Sequence, residues 1–445
     1  MMAASVLSRH LDRVTVLERD RLPEGPEARK GVPQAHRAHA LMARGANIME
    51  ELYPGLLQEL VREGGTVAEM GPDFAYYHRG TWKMRSPTGL RVHSQSRRLL
   101  EWKLRERMKA LPNVRVLEGC DLQGFVSTSD QTRIVGVRYR TRDAQGAEHE
   151  EELTLGDLVV DATGRGSRTP RWLEAMGYPP VEETRVEVDV GYATRLYKGL
   201  RIPHDWKVLG VTPGSPEYKR FGGVVAIENG QYLAMLGGWM HEHPPGDEAG
   251  FLEFARSLPR PEVYDAIKDA EAAGPIQLYK FPANEWHHYE RMKRLPEGLV
   301  VLGDAFATFN PIYGQGMTTC GLQSLALGEC LTELGRGRLQ GLTERYHKRV
   351  AGLLKGAWLL AVSEDLRFPE VMGERPPGSK LMNWYGDRLS ALASKDAFVF
   401  KTFSNMMHML SSPATALDPR ILMKVLLHRE YRRGGGADPL PLRDC

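Results

Sequence analysis

The segment 298–317, GLVVLGDAFATFNPIYGQGM, constrains the fold more than any other part of this sequence. Its apolar run, Leu299 to Leu302, has the composition of a short strand that is buried on both faces. An acid, Asp304, follows at the carboxyl end of the strand, and apolar residues from Thr318 to Leu331 recur at helical spacing. A buried strand, a glycine-containing loop and a helix in this order predict an α/β fold.

The loop that leads into this helix contains Asn310, Pro311, Gly314 and Gly316. Glycine permits positive φ and close approach of the backbone, so the loop is suited to bringing backbone N–H groups near a ligand. Taken alone, however, the unit would serve equally well as a plain connection between a strand and a helix.

Two other short strands also end in an acid. VTVLE ends in Glu18, and LVVD ends in Asp161, with Gly164 and Gly166 close behind. In dinucleotide-binding folds, an acid at the end of the second strand binds a ribose hydroxyl, about 20 residues after a glycine-rich phosphate loop. The repeated pattern therefore favours a nucleotide-binding fold over a plain connection.

Composition narrows the class of protein without choosing a function. With 445 residues, 42% of them apolar and 26% charged, the chain is long enough for two or three globular domains. Its formal net charge of +3 gives no argument for nucleic-acid binding, and we expect no run of residues to span a membrane. The four cysteines, Cys120, Cys320, Cys330 and Cys445, lack metal-ligand spacing, which favours reduced thiols in the cytoplasm.

Four features together carry a family resemblance: Glu18 after a strand, Arg97 at the start of a helix, DATGRGSR, and GDAFATFNPIYGQGM. They resemble the FAD-dependent aromatic-hydroxylase-like monooxygenases, the superfamily that includes para-hydroxybenzoate hydroxylase and squalene epoxidase. The opening VTVLERDRLPEGPEARKGVPQAHRAHALMARG resembles a bacterial branch associated with natural-product biosynthesis and with epoxidation of polyketide chains. The resemblance extends to about residue 335 and is weaker in the helical tail.

The resemblance implies a Rossmann-like FAD-binding domain, an inserted β-sheet substrate domain and a helical C-terminal region. The corresponding ranges are 1–66, 92–184 and 276–335 for the FAD domain, 67–91 and 185–275 for the substrate domain, 336–432 for the helical region, and 433–445 for a disordered tail. In relatives of this kind, the first strand and the glycine-rich loop precede the position of Met1. We therefore expect this sequence to lack them and to bind FAD less well.

The resemblance also implies a set of cofactor-binding residues. These are Glu18 for the adenosine ribose, Arg97 for the pyrophosphate or ribityl chain, the backbone near Leu122 for the adenine, Asp161 and Gly164 in a turn that serves FAD, Asp304 for the ribityl hydroxyls, and Pro311, Gly314, Gly316 and Met317 for the pyrimidine edge of the flavin. A helix N-terminus at this edge would stabilise the negative charge of reduced flavin.

The strands between these motifs are expected to form the sheet that covers the substrate-binding pocket. Tyr76, Trp82, Met235 and Trp239 suit a roomy apolar pocket, although a plain core position is the alternative for each. The pair His36 and His39 is three residues apart, but no third ligand lies near it and the family uses no metal. We predict no metal site and place this pair beside the flavin.

The implied function is insertion of one oxygen atom from O2 into a largely apolar small molecule, by epoxidation or hydroxylation, with FAD and NAD(P)H as cofactors. No Ser-His-Asp arrangement competes for catalysis, and no catalytic side chain is assigned. Two alternatives stay open: a flavin-dependent reductase of prenyl chains, and a truncated non-catalytic remnant. The sequence leaves the oligomeric state open.

Overall fold

The computed structural model describes residues 1–29, 31–32, 41–142, 148–154, 157–212, 214, 216–427 and 440–441. His36 and His39 lie outside these ranges, and so does the tail 433–445 except for residues 440 and 441. The predictions for the histidine pair and for a disordered tail therefore fall outside the described residues.

The first part of the chain alternates helices and short strands. Its elements are α1 (Met2–Ser8), β1 (Val14–Glu18), α2 (Ala43–Leu52), α3 (Leu56–Arg62), β2 (Thr66–Glu69), β3 (Phe74–His78), β4 (Thr81–Trp82), β5 (Arg91–Ser94), α4 (Arg97–Lys109), β6 (Val114–Glu118), β7 (Asp121–Ser127), β8 (Ile134–Arg142), β9 (Glu148–Thr154), β10 (Val159–Asp161) and α5 (Thr169–Ala175). The segment 66–94 holds four short strands, β2 to β5.

The second part is rich in strands and ends in helices. Its elements are β11 (Glu183–Tyr197), β12 (Val208–Thr212), β13 (Arg220–Ala226), β14 (Tyr232–Gly238), α6 (Glu248–Arg256), α7 (Glu262–Ile267), β15 (Gln277–His287), β16 (Leu299–Val301), β17 (Ala307–Thr308), α8 (Gly316–Leu334), α9 (Leu342–Asp365), α10 (Ser379–Leu392), α11 (Ala397–Met407) and α12 (Pro419–Leu427). The predicted fold class, a mixed α/β chain with a helical C-terminal region, is confirmed. Within the described ranges, no helix combines the length and the apolar character needed to cross a bilayer.

Two short parallel pairs carry the strand-end acids. Strand β1 pairs with β6, and β10 pairs with β16, so that Asp161 lies opposite Val301. Because parallel strands end at the same edge, this register brings Asp161 close to the turn that contains Asp304. The three-stranded antiparallel sheet β7–β8–β9 and the pair β2–β5 are separate from these pairs.

The largest sheet has eight strands in the order β17-β15-β11-β14-β13-β12-β3-β4. Neighbouring strands are antiparallel except for β12 and β3, which run parallel. One face packs on α6 and α7 through residues such as Tyr77, Trp82 and Leu236. The opposite face packs on the C-terminal region, through residues such as Phe368, which follows α9, and Phe400 of α11. Alternation of side chains along each strand divides the residues between the two faces.

Helix α8 packs against α1, α2 and α9. Glycine makes this packing close. A Cβ at Gly328 would lie 2.8 Å from Val6 Cγ1, and one at Gly45 would lie 2.6 Å from Thr318 Oγ1. The start of α8 is therefore held in one place relative to β10 and β16.

His347 of α9 ties that helix to β16, because its Nε2 accepts a hydrogen bond from the Val301 amide at 3.1 Å. The ring is fully buried and stacks on Phe306, with ring centroids 5.9 Å apart. Burial lowers the pKa of His347 from 6.5 to about 4. His408, whose Nδ1 accepts from the Ala43 amide at 3.3 Å, has its pKa lowered to about 4 for the same reason.

These two histidines predict an acid-sensitive fold. The unfolded chain takes up protons below pH 6.5 that the folded chain excludes until about pH 4. Each group should therefore lower the free energy of unfolding by up to about 1.4 kcal/mol per pH unit within that window. Urea unfolding from pH 7.5 to 4.5 should show a shallower pH slope in His347→Gln and in His408→Gln, and the shallowest in the double variant. Identical slopes in all four proteins would contradict this assignment.

Candidate functional site

The loop after β16 delivers its residues to the edge where β10 and β16 end. A 3₁₀ turn, Gly303–Ala305, follows β16 at once, and the Gly303 amide donates to Gln323 Oε1 of α8 at 2.8 Å. A second 3₁₀ turn, Pro311–Tyr313, ends at Gly314 in the left-handed conformation, and α8 begins two residues later. The backbone at Gly314 has a φ of 66°, a conformation that favours glycine, as expected for this loop.

Asp304 and Arg97 interact electrostatically near the start of α8. Arg97 is the first residue of α4, and its Nη1 contacts Met317 Sδ in the first turn of α8. Partial burial raises the pKa of Asp304, although Arg97 and Arg165 oppose the rise. No described residue donates a hydrogen bond to the Asp304 carboxylate.

Two buried side-chain donors of α4 and α8 also lack hydrogen-bond partners within the described ranges. They are Arg97 Nε and Gln323 Nε2. Buried polar groups in native proteins are normally hydrogen-bonded, so each exception needs an explanation. An acceptor-only carboxylate and two unsatisfied donors next to a helix N-terminus suit a ligand with hydroxyl and anionic groups.

Asp161 follows the same strand-end pattern but is used differently. Its carboxylate accepts four hydrogen bonds from its own loop: Thr163 N (2.8 Å), Thr163 Oγ1 (2.6 Å), Ser167 Oγ (2.5 Å) and Thr169 Oγ1 (2.6 Å). A carboxylate has about four acceptor positions, so these donors saturate it. Asp161 therefore shapes the 161–169 loop, and the open space beside Gly164 and Gly166 is where this loop could face a ligand.

Glu18 and the Leu122 carbonyl both bond to other protein groups. Glu18 Oε1 accepts from the Asp20 amide and pairs with Arg29 Nη1, both at 3.0 Å. Arg29 also pairs with Glu101 of α4, the helix that begins with Arg97. The Leu122 carbonyl accepts a hydrogen bond from Arg168. The structure thus links Glu18 to α4 through charged partners but places no open acceptor at Leu122.

The predicted substrate residues divide between the two faces of the eight-stranded sheet. Met235 and Trp239 pack in the same apolar cluster, and Trp239 contacts the rings of Phe221 (4.8 Å) and Phe368 (5.2 Å). Tyr76 lies on this face, packed on the cluster of the C-terminal helices. Trp82 lies on the opposite face against Tyr77 and Arg260. The structure brings Met235 and Trp239 together and separates Trp82 from them.

Asp365 is the residue of this region that the sequence pattern did not predict. It ends α9 and lies fully buried against the Pro311–Tyr313 turn. Its carboxylate accepts from Trp239 Nε1 (3.0 Å), Asn284 Nδ2 (2.8 Å), Asn310 Nδ2 (3.1 Å) and Tyr313 OH (2.7 Å). The acid in VSEDLRF, within an otherwise amphipathic helix, is the only signal that the sequence offers for it.

One group of side chains with metal-ligand chemistry exists among the described residues: Asp189, His241 and His243. The Asp189 carboxylate contacts both imidazoles directly, and the His241 side chain is 86% exposed. The three side chains therefore contact one another at the protein surface.

Comparisons with known proteins identify the fold. No family model matches the sequence. Protein Rv3254 of Mycobacterium tuberculosis (strain ATCC 25618 / H37Rv) is 31% identical over 442 residues, which cover 96% of this chain and 91% of the relative.

Solved structures with a similar fold include a brominase and two monooxygenases. The flavin-dependent brominase Bmp2 has a TM-score of 0.66 at 12% identity, covering 96% of this chain and 94% of its own. p-Nitrophenol 4-monooxygenase PnpA from Pseudomonas putida DLL-E4 has a TM-score of 0.64 at 17% identity, covering 93% and 95%. PqsL from Pseudomonas aeruginosa, described as a probable FAD-dependent monooxygenase, has a TM-score of 0.58 at 19% identity, covering 83% and 94%.

These likenesses cover 83% to 96% of this chain. The protein belongs to the same family as Protein Rv3254 and shares its fold with the brominase Bmp2 and the monooxygenase PnpA.

Proposed function

We propose that this protein is an FAD-dependent monooxygenase that inserts one oxygen atom from O2 into a largely apolar small molecule. The observation that carries the proposal is that two groups near the start of α8 are open to a ligand. The Asp304 carboxylate accepts no hydrogen bond from a described residue, and the buried Arg97 Nε has no hydrogen-bond partner among the described residues. Both groups occur in a fold shared with the flavin-dependent brominase Bmp2 and the monooxygenase PnpA.

The residues present fit FAD at its ribityl and flavin end. Asp304 would accept hydrogen bonds from ribityl hydroxyls, and Arg97 would contact the pyrophosphate or the ribityl chain. Next to Gly316 there is open space where a side chain would otherwise stand, so a ring could approach the first N–H groups of α8. Bound FAD would supply the electron transfer and the O2 chemistry, with NADH or NADPH as the source of hydride.

The protein itself would stabilise charge on the flavin and keep water from the substrate. The unpaired N–H groups and partial positive charge at the start of α8 would stabilise negative charge on the pyrimidine edge of the flavin. Burial raises the pKa of Cys320 to about 12, so this thiol, one turn into α8, would stay protonated and unreactive. The apolar cluster around Met235 and Trp239 would exclude water on the substrate side.

A cytoplasmic location accords with Cys120, Cys320 and Cys330, which are free thiols in the structure. An apolar substrate accords with the aromatic and Met side chains that line the α9-facing side of the sheet. The names of the relatives PnpA and Bmp2 describe a p-nitrophenol monooxygenase and a brominase, so aromatic compounds are the first substrates to test.

Variants of two aspartates distinguish an effect on FAD binding from an effect on the stability of the fold. Asp304→Ala should weaken FAD binding by about 1–3 kcal/mol, the range expected for charge-assisted hydrogen bonds. It should leave the stability of the ligand-free protein within about 0.5 kcal/mol, because no described donor loses its acceptor. FAD titration by fluorescence quenching and urea unfolding measure the two effects.

Asp161→Ala is the matched control. Removing this carboxylate leaves four hydrogen-bond donors without their acceptor and should lower the free energy of unfolding by about 2–4 kcal/mol. Unchanged FAD affinity in Asp304→Ala, with an unchanged flavin spectrum, would remove Asp304 from the site.

Substrate-dependent oxygen uptake tests the reaction itself. NAD(P)H oxidation with O2 consumption should be stimulated by polycyclic aromatic, polyketide or prenyl compounds more than by small hydroxybenzoates, because Met235 and Trp239 lie among apolar and aromatic side chains. NAD(P)H oxidation without O2 uptake would indicate a reductase instead. Met235→Ala should raise KM for the best substrate about fivefold or more, whereas Trp82→Phe, on the opposite face of the sheet, should leave KM unchanged.

A further inference from the structure

The carboxylate of Asp365 is fully buried and is held by uncharged donors. Its four partners are an indole N–H, two side-chain amides and a phenol. No basic side chain among the described residues forms an ion pair with it. Burial raises the pKa of Asp365 to about 6, against the opposing effect of the four hydrogen bonds.

All four partners are donors, which restricts the residue that can occupy position 365. An ionised carboxylate only accepts hydrogen bonds, so it satisfies every one of them. An asparagine of the same size would direct an NH2 group at a donor and leave at least one buried group unpaired. Burying a carboxylate without a cation is unfavourable unless the carboxylate is fully hydrogen-bonded. Loss of one partner therefore removes much of the stabilisation that the whole network provides.

The donors come from both sides of the candidate site. Trp239 follows β14 and Asn284 lies in β15, both part of the eight-stranded sheet. Asn310 and Tyr313 belong to the turn that leads into α8. The contacts are reinforced, because Asn284 Oδ1 accepts from the Asn310 amide at 2.7 Å and Tyr192 OH bonds to Asn310 Oδ1.

We propose that Asp365 is a positioning residue for the flavin: its ionised carboxylate fixes the Asn310–Gly314 turn against the sheet and so sets where the start of α8 meets the flavin ring. This inference rests on the proposed function. It assigns to the end of α9 a role in the cofactor site that the sequence motifs do not indicate.

The test compares two buried carboxylates of the helical region. Asp365→Asn removes the acceptor-only group from the turn. Asp387→Asn is the matched control, because Asp387 of α10 is also buried but accepts hydrogen bonds from the charged side chains of Arg79 and Arg367. Both variants should lower the melting temperature, so melting temperature alone does not distinguish them.

Two other readouts do distinguish them. In the ligand-free protein, amide hydrogen exchange across 307–317 should accelerate at least tenfold in Asp365→Asn and stay unchanged in Asp387→Asn. In the FAD complex, Asp365→Asn should weaken FAD binding about tenfold and shift the visible flavin spectrum, whereas Asp387→Asn should do neither.

A double-variant cycle adds an internal check. Tyr313→Phe removes one of the donors, so its effect on FAD affinity should be much smaller in the Asp365→Asn background than in the wild type. Additive effects would overturn the proposal, and so would wild-type exchange and FAD affinity in Asp365→Asn. Failure of the wild-type protein to bind FAD would instead overturn the proposed function, on which the inference rests.

Discussion

The candidate site depends on the close contact of α8 with its neighbours. Gly45, Gly321 and Gly328 leave no side chain between the helices, so Thr318, Ile48 and Val6 approach the opposing backbone directly. A helix N-terminus can act on a ligand only if the helix does not shift, and interiors this dense transmit displacement rather than absorb it. The position of Asp304, the Pro311–Tyr313 turn and the α4 contact through Met317 all follow from where α8 lies.

The sequence predicted the strand ends and the helix after the glycine loop, because period and composition are local signals. It did not distinguish the roles of the strand-end acids. In DATGRGSRT, three hydroxyl side chains follow Asp161 and turn back to bond it, whereas Ala305, Phe306 and Ala307 follow Asp304 and offer no side-chain donor. The difference was present in the sequence, in the residues just after each acid.

Other features could not be predicted from local pattern. Asp365 meets Trp239 and Asn284, which lie 126 and 81 residues away in the sequence, and no spacing rule connects them. The face on which Trp82 lies depends on β3 pairing with β12, and a shift of one residue in that register would reverse it. The role of these residues is therefore decided by tertiary pairing. The division into FAD, substrate and helical domains remains a prediction.

The parallel pairing of β3 with β12 also has a consequence for how the protein folds. His78 and Thr212 are partners in this ladder although they are 134 residues apart. During synthesis, the β3–β4 hairpin leaves the ribosome long before its partner strand exists, so its edge and its aromatic residues stay uncovered until most of the chain has been made. Pairing of strands so far apart in the sequence slows folding, because the long segment between them must be ordered before the stabilising contacts form. Yields of folded protein should therefore depend on translation rate and on chaperones that shield exposed strands.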